Sequence, residues 1–197
     1  MSWPNRITVL RLLLVPVFIL LVLSAAESST YRYAAMGLAA LIGICDSADG
    51  ILARRTGRVT PIGSILDPLA DKALMISALV ILSIPGILSP EHSEWRLPYW
   101  VSVPLVSRDL VILAGVVVLF LLTGVFQVTP STSGKAATVM QFVTIVLTLG
   151  APDLVGWFPT AAHYALLVVW GVTVALGVLS WLGYIRTGSK LLTASGQ

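Results

Sequence analysis

Residues 46–71 read DSADGILARRTGRVTPIGSILDPLAD, and this stretch sets the character of the whole chain. Four of the nine acidic residues, Asp46, Asp49, Asp67 and Asp71, fall inside it. Asp46 and Asp49 are three residues apart and Asp67 and Asp71 four apart, spacings that put side chains on one helix face. Thr60 and Pro61 offer an N-cap and a first-turn proline for a helix beginning there. The expectation is two antiparallel helices, joined through Arg54, Arg55 and Arg58, whose carboxylate pairs lie near the same ends and face each other.

Outside this stretch the chain is strongly apolar. Of 197 residues, 57% are hydrophobic and only 11% charged, where a soluble domain carries about a quarter charged. With a mean hydropathy of +0.94, this is an integral membrane protein. Six spans are predicted, at about 7–23, 33–52, 62–82, 97–123, 136–149 and 161–184. The fold class is thus all-α, a bundle of six transmembrane helices forming one domain over 1–197, with no internal repeat. The first span resembles a signal peptide, but Arg11 interrupts its apolar run, and it is expected to be retained. The six tryptophans, Trp3, Trp95, Trp100, Trp157, Trp170 and Trp181, fit interfacial anchoring, four of them near predicted span ends.

Charge sets the orientation. Arg6, Arg54, Arg55, Arg58, Lys135, Arg186 and Lys190 fall on one side of a six-span plan, with no acidic residue outside the spans. The other side carries Glu27, Arg32, Glu91, Glu94, Arg96 and Asp153. Both termini are therefore expected in the cytoplasm. The net charge of +3 reports topology rather than nucleic-acid binding, since no basic cluster or recognition motif accompanies it. The single cysteine, Cys45, forms no intrachain disulfide, and His92 and His163 are scattered.

Carboxylates at membrane depth cost several kcal/mol unless paired or ligated. Four converging carboxylates form an all-oxygen donor set that suits Mg²⁺ or Mn²⁺, with room for two ions, rather than zinc. Gly50 and Ala53 lie one turn from Asp46 and Asp49, and Gly63 opens the opposing helix. These small residues leave space for a bulky ligand, and Arg54 beside them points to phosphate. A structural salt-bridge network with Arg54, Arg55, Arg58 and Lys72 is the competing reading.

Written out, the frame is D46-x2-D49-G50-x2-A53-R54-x8-G63-x3-D67-x3-D71. It resembles the signature of the CDP-alcohol phosphatidyltransferase family, with every defining position present, and the six-span plan extends the likeness over most of the chain. The resemblance implies a helical membrane enzyme, usually a homodimer, acting on a CDP-linked lipid. It implies that Asp46, Asp49 and Asp67 hold divalent metal and that Asp71 lies at the metal site as general base. Asp46, Asp49, Gly50, Ala53, Arg54, Gly63 and Asp67 would accommodate the CDP moiety.

The opening Pro4-Asn5-Arg6-Ile7-Thr8-Val9-Leu10-Arg11 is similar to the start of phosphatidylglycerophosphate and cardiolipin synthases. Asn5, Thr8 and Arg11 recur at three-residue steps and would line the site; capping and interfacial anchoring is the plainer account. Arg108-Asp109 inside the fourth span is either a structural pair or, as in this branch, places Arg108 to hold an acceptor phosphate. Ser133-Gly134-Lys135 also matches a family element, and Lys135 is otherwise a topology charge. The run after Arg108 lacks a second Arg and Glu, and Ala136-Ala137 follow Lys135 where a second lysine is common. The implied reaction is phosphatidyl transfer from CDP-diacylglycerol to a glycerol-type acceptor with release of CMP. That acceptor is expected to be glycerol 3-phosphate, the commoner one for bacterial-looking chains of this length; the alternative, to which the two departures point, is phosphatidylglycerol. The setting is the bacterial inner membrane, with the active site toward the cytoplasm. An ion-coupled transporter is the distant alternative, but it would place its carboxylates near the midplane on broken, repeated helices.

Overall fold

A computed structural model describes the backbone of residues 3–56, 61–89, 95–123 and 132–194, and the side chains of 9–43, 69–70, 72–89, 95–115, 117–118 and 132–183. Among these residues the chain is all-helical. Helix α1 (Trp3–Leu23) turns through a short 3₁₀ segment (Ser24–Ala26) into α2 (Ser29–Thr56), followed by α3 (Pro61–Ile81) and α4 (Tyr99–Thr123). Then come α5 (Thr132–Leu149), the short α6 (Ala151–Trp157) and the long α7 (Pro159–Ala194).

Prolines and glycines mark the boundaries. Pro61 opens α3 and Pro159 opens α7, the position where a missing N–H costs nothing. After α3 the chain turns at Gly86, whose φ of 74° is open to glycine without strain. The Leu97 N–H then donates to the Leu82 carbonyl at 2.8 Å and closes the connection to α4. The stretch 150–160, expected as a loop, holds α6. Gly150 caps it, proline stands in its first turn and Asp153 meets the positive end of its dipole.

Contacts between helices give their directions. Lys72 meets Asp109, and Leu82 meets Leu97 toward the other end, so α3 and α4 are antiparallel. Thr144 meets Thr173 and Thr148 meets Trp170, so α5 and α7 are antiparallel. Gly177 packs on Leu105 and Ser180 on Arg108, so α4 and α7 run parallel. Gly43 rests on the Phe142 ring and Gly150 on Met36, which sets α2 antiparallel to α5. One end of the bundle therefore gathers the end of α2, the start of α3, the end of α4, the start of α5 and the end of α7.

Burial differs from that of a soluble protein: apolar residues face both inward and outward. Phe18, Val22, Leu79, Leu82, Leu97, Leu105 and Leu149 make a tight apolar core. Asp109, Gln141, Thr144, Thr148, Thr173 and Ser180 are nevertheless fully buried beside it. Outward-facing Leu13, Leu20, Val103, Val139 and Val168 are 59–65% exposed, an apolar surface that suits lipid rather than water. Along α5, buried Gly134, Ala137, Gln141, Thr144 and Thr148 recur at three- and four-residue steps. Small and polar residues thus line the helix contact, as in membrane bundles. Among the described residues, Val9–Ala26, Thr132–Leu149 and Pro159–Gly183 are long and apolar enough to cross a bilayer. The chain is a membrane protein. Trp170, read from the sequence with the interfacial tryptophans, lies in the core and donates its indole N–H to the Thr148 hydroxyl at 3.2 Å.

Candidate functional site

The two carboxylate pairs stand on α2 and α3 at matching levels. Asp46 and Asp49 precede the end of α2 by ten and seven residues, and Asp67 and Asp71 follow the start of α3 by six and ten. At 1.5 Å per residue, Asp49 and Asp67 lie about 10 Å, and Asp46 and Asp71 about 15 Å, from the connection between the helices. The side chains of these four aspartates lie outside the described residues, as do those of Asn5, Thr8, Gly50, Ala53, Arg54 and Gly63. The chemistry of the donor set fits a hard divalent cation: carboxylate oxygens only, at two shared levels on consecutive helices. Among the described side chains, no group of His, Cys, Asp or Glu is arranged to hold a metal.

Directly after Asp71, Lys72 enters a buried network that spans four helices. Its Nζ donates to Asp109 Oδ1 at 3.1 Å. The same oxygen accepts from Arg108 Nη1 at 2.9 Å, and Asp109 Oδ2 accepts from Gln141 Nε2 at 2.8 Å. Arg108 Nη2 reaches on to the Gly134 carbonyl at 3.2 Å and the Ser180 hydroxyl at 3.0 Å. Asp109 is completely buried and Arg108 is 4% exposed. Two cations here share one carboxylate among the described residues. A buried charge that is neither paired nor hydrogen-bonded would be far too costly to keep. Arg108 Nε and Gln141 Oε1 are buried with no hydrogen-bond partner among the described residues.

The remaining sequence candidates divide. Arg11 is buried in α1 at 6% exposure, although it stands in a predicted membrane span. Lys135 is exposed in the first turn of α5, beside the Gly134 carbonyl that accepts from Arg108 and from the Thr138 hydroxyl at 3.1 Å. Arg108 was expected to be either a structural pair or a phosphate ligand, and both its Nη atoms are engaged with protein groups. Lys72, Gln141 and Ser180 were not singled out as site residues. Gln141 left a readable signal, a polar amide on the small-residue stripe of α5.

The opposite end differs. Arg32 of α2 pairs with Asp153 of α6 at 2.6 Å. Nearby, an open cavity of about 440 Å³ is lined by Trp95, Thr148, His163, Tyr164, Leu166 and Trp170 among others. None of the aspartates of the 46–71 frame stands at this end.

Comparison with known proteins adds the following. The family model described as CDP-alcohol phosphatidyltransferase matches residues 1–182. A Mycobacterium tuberculosis protein named "Probable phosphatidylglycerophosphate synthase" is 37% identical over 186 residues, covering 92% of this chain and 78% of its own. A Pseudomonas fluorescens protein named "CDP-diacylglycerol--glycerol-3-phosphate 3-phosphatidyltransferase" is 31% identical over 204 residues, 100% of this chain and 95% of its own. A Mycobacterium bovis protein named "Putative cardiolipin synthase" is 33% identical over 149 residues, 73% and 64% of the two chains.

Proposed function

The chain belongs to the CDP-alcohol phosphatidyltransferase family, and from that premise we propose that it transfers the phosphatidyl group of CDP-diacylglycerol to glycerol 3-phosphate, releasing CMP. The observation that carries this reading is the complete D46…D71 frame standing at two matched levels on α2 and α3. The acceptor follows the relatives aligned over most of this chain, whose names specify phosphatidylglycerophosphate or glycerol 3-phosphate chemistry.

In this reading Asp46, Asp49 and Asp67 hold one or two Mg²⁺ or Mn²⁺ ions, with Asp71 beside them. When bound, the divalent cation supplies charge neutralisation at the pyrophosphate and at the departing CMP. Gly50, Ala53 and Gly63 are assigned to the nucleotide as small residues of the signature, and Arg54 to its phosphates. Asp71 takes the proton from the acceptor hydroxyl as that oxygen attacks the lipid-side phosphorus. The new P–O bond replaces the bond to CMP, which departs with the bridging oxygen's electron pair. Asn5, Thr8, Arg11, Arg108 and Lys135 frame the acceptor side. The bundle is read as six spans with both termini in the cytoplasm, residues 1–197 acting as one domain. It works as a homodimer in a bacterial inner membrane, with the site open to the cytoplasmic face.

The test uses purified protein in detergent with CDP-diacylglycerol and Mg²⁺ or Mn²⁺. Glycerol 3-phosphate and phosphatidylglycerol are offered separately, and CMP and lipid products are identified by mass spectrometry. Phosphatidylglycerophosphate is the expected product, and EDTA abolishes its formation until divalent metal is restored. Cardiolipin would instead establish phosphatidylglycerol as the acceptor, the reading favoured by Ala136-Ala137 after Lys135. Failure to release CMP with either acceptor would overturn the glycerol-type assignment.

A further inference from the structure

We propose that Lys72 and Asp109 form a positioning pair, which fixes the rotation of α3 and with it the placement of the turn that carries Asp71. The inference rests on the functional reading above and extends it to residues outside the signature.

Lys72 follows Asp71 directly in α3, and its Nζ is tied to a carboxylate of α4 that is also held by Arg108 and Gln141. Asp109 gives both oxygens to this work: Oδ1 to Lys72 and Arg108, Oδ2 to Gln141. Arg108 in turn is anchored to α5 through the Gly134 carbonyl and to α7 through Ser180. The anchor point is therefore cross-braced by three helices, and the Lys72 ammonium transmits that bracing to α3. Elsewhere, the described polar contacts between the end of α3 and the approach to α4 lie just past the last residue of α3, from the Leu97 N–H to the Leu82 carbonyl and from Arg96 Nη1 to the Ser83 carbonyl. Those bonds limit translation at the far end of α3 but do little to set rotation near Asp71.

The geometry makes rotation matter. A helix with its side chains is about 10–12 Å across, so a turn of about 20° moves a side-chain tip by about 2 Å. Misplacement of a reacting group by about 1 Å can cost about 10²-fold in rate. Lys72 is thus a positioning residue acting through Asp109, distinct from the carboxylates that meet metal or acceptor.

Lys72→Met is the primary variant because it leaves Arg108 and Asp109 as a balanced pair, and its Tm in detergent checks that the bundle is folded. Its kcat is expected to fall about 10–100-fold, with KM for CDP-diacylglycerol within about 3-fold and Tm in detergent near the wild-type value. Lys72→Arg should recover most of kcat, since a guanidinium still reaches a carboxylate. In the double variant Lys72→Met/Asp109→Asn, kcat should be no lower than in the worse single variant, because both changes cut one tether.

A K72M protein that keeps wild-type kcat overturns the pair. So does a double variant whose loss is the product of the single losses, or a K72R protein as impaired as K72M. If D109N alone yields no folded protein, the K72M and K72R measurements decide the matter by themselves. Wild-type protein that releases no CMP with any acceptor sinks the functional reading and this pair with it. Active wild type beside an unimpaired K72M sinks the pair alone.

Discussion

Among the described residues the bundle holds two arginine–aspartate pairs, one toward each end, and they differ in what surrounds them. Arg32 and Asp153 are 121 residues apart in the chain and meet one to one, the aspartate 31% exposed, with Arg32 also lying 5.3 Å over the Tyr33 ring. Arg108 and Asp109 are adjacent in sequence, 4% and 0% exposed, and share their carboxylate with Lys72 and Gln141. Adjacent residues on a helix do not face each other, so the second pair is not a local helix staple; it is drawn together by the helices around it. The first pair fastens α2 to α6 at a wet edge. The second ties α3, α4, α5 and α7 together through one buried carboxylate, and its Lys72 is the residue next to a signature aspartate.

The sharpest contrast is expected from Asp71→Asn. CMP release should fall by about 10²–10⁴-fold, the usual contribution of a general base, while thermal unfolding in detergent stays within about 2 °C of wild type. Arg108→Met should affect both activity and stability. It leaves Lys72 and Asp109 balanced but removes charge-assisted bonds to Gly134 and Ser180, each worth about 1.5–3 kcal/mol, and turnover should drop at least 10-fold. At the other end, Asp153→Asn should lower stability by about 1 kcal/mol, read as a Tm shift of roughly 2–4 °C, with turnover within 2-fold of wild type. A large turnover loss there would erase the distinction between the two ends. The smallest effect belongs to Thr173→Val, which loses the 2.7 Å hydroxyl contact with Thr144. That change should cost about 0.6 kcal/mol and leave CMP release unaltered.

Much of this arrangement is legible in the sequence because it is written locally. The placing of the four aspartates on two consecutive helices, the Pro61 start of α3 and the long apolar runs each depend on residues within a turn or two of one another. The small-residue stripe of α5 is likewise a matter of period. Helix α6 escaped the reading because seven residues are too few to show a period, although Gly150, a first-turn proline and Asp153 form a start signal. Lys72 with Asp109, Gln141 with Asp109 and Ser180 with Arg108 escaped for a different reason. These partners are 37, 32 and 72 residues apart, and only the helix packing reveals which faces meet. Trp170 illustrates the same limit: its indole is amphipathic enough for an interface, and Thr148 on another helix accounts for its burial.

The adjacency of Arg108 and Asp109 also bears on how the protein enters the bilayer. Helices leave the ribosome in chain order, and α4 brings its cation and counter-ion into the membrane together, which lowers the cost of inserting either. Lys72 arrives one helix before Asp109, and their bond forms when α4 follows. Gly134 and Gln141 come with α5, and Ser180 last with α7. The described network is therefore complete only once α7 supplies the Ser180 hydroxyl. Nascent chains stopped after α4 are expected to be cleared by membrane proteases faster than the full-length protein, a difference that pulse-chase labelling would resolve.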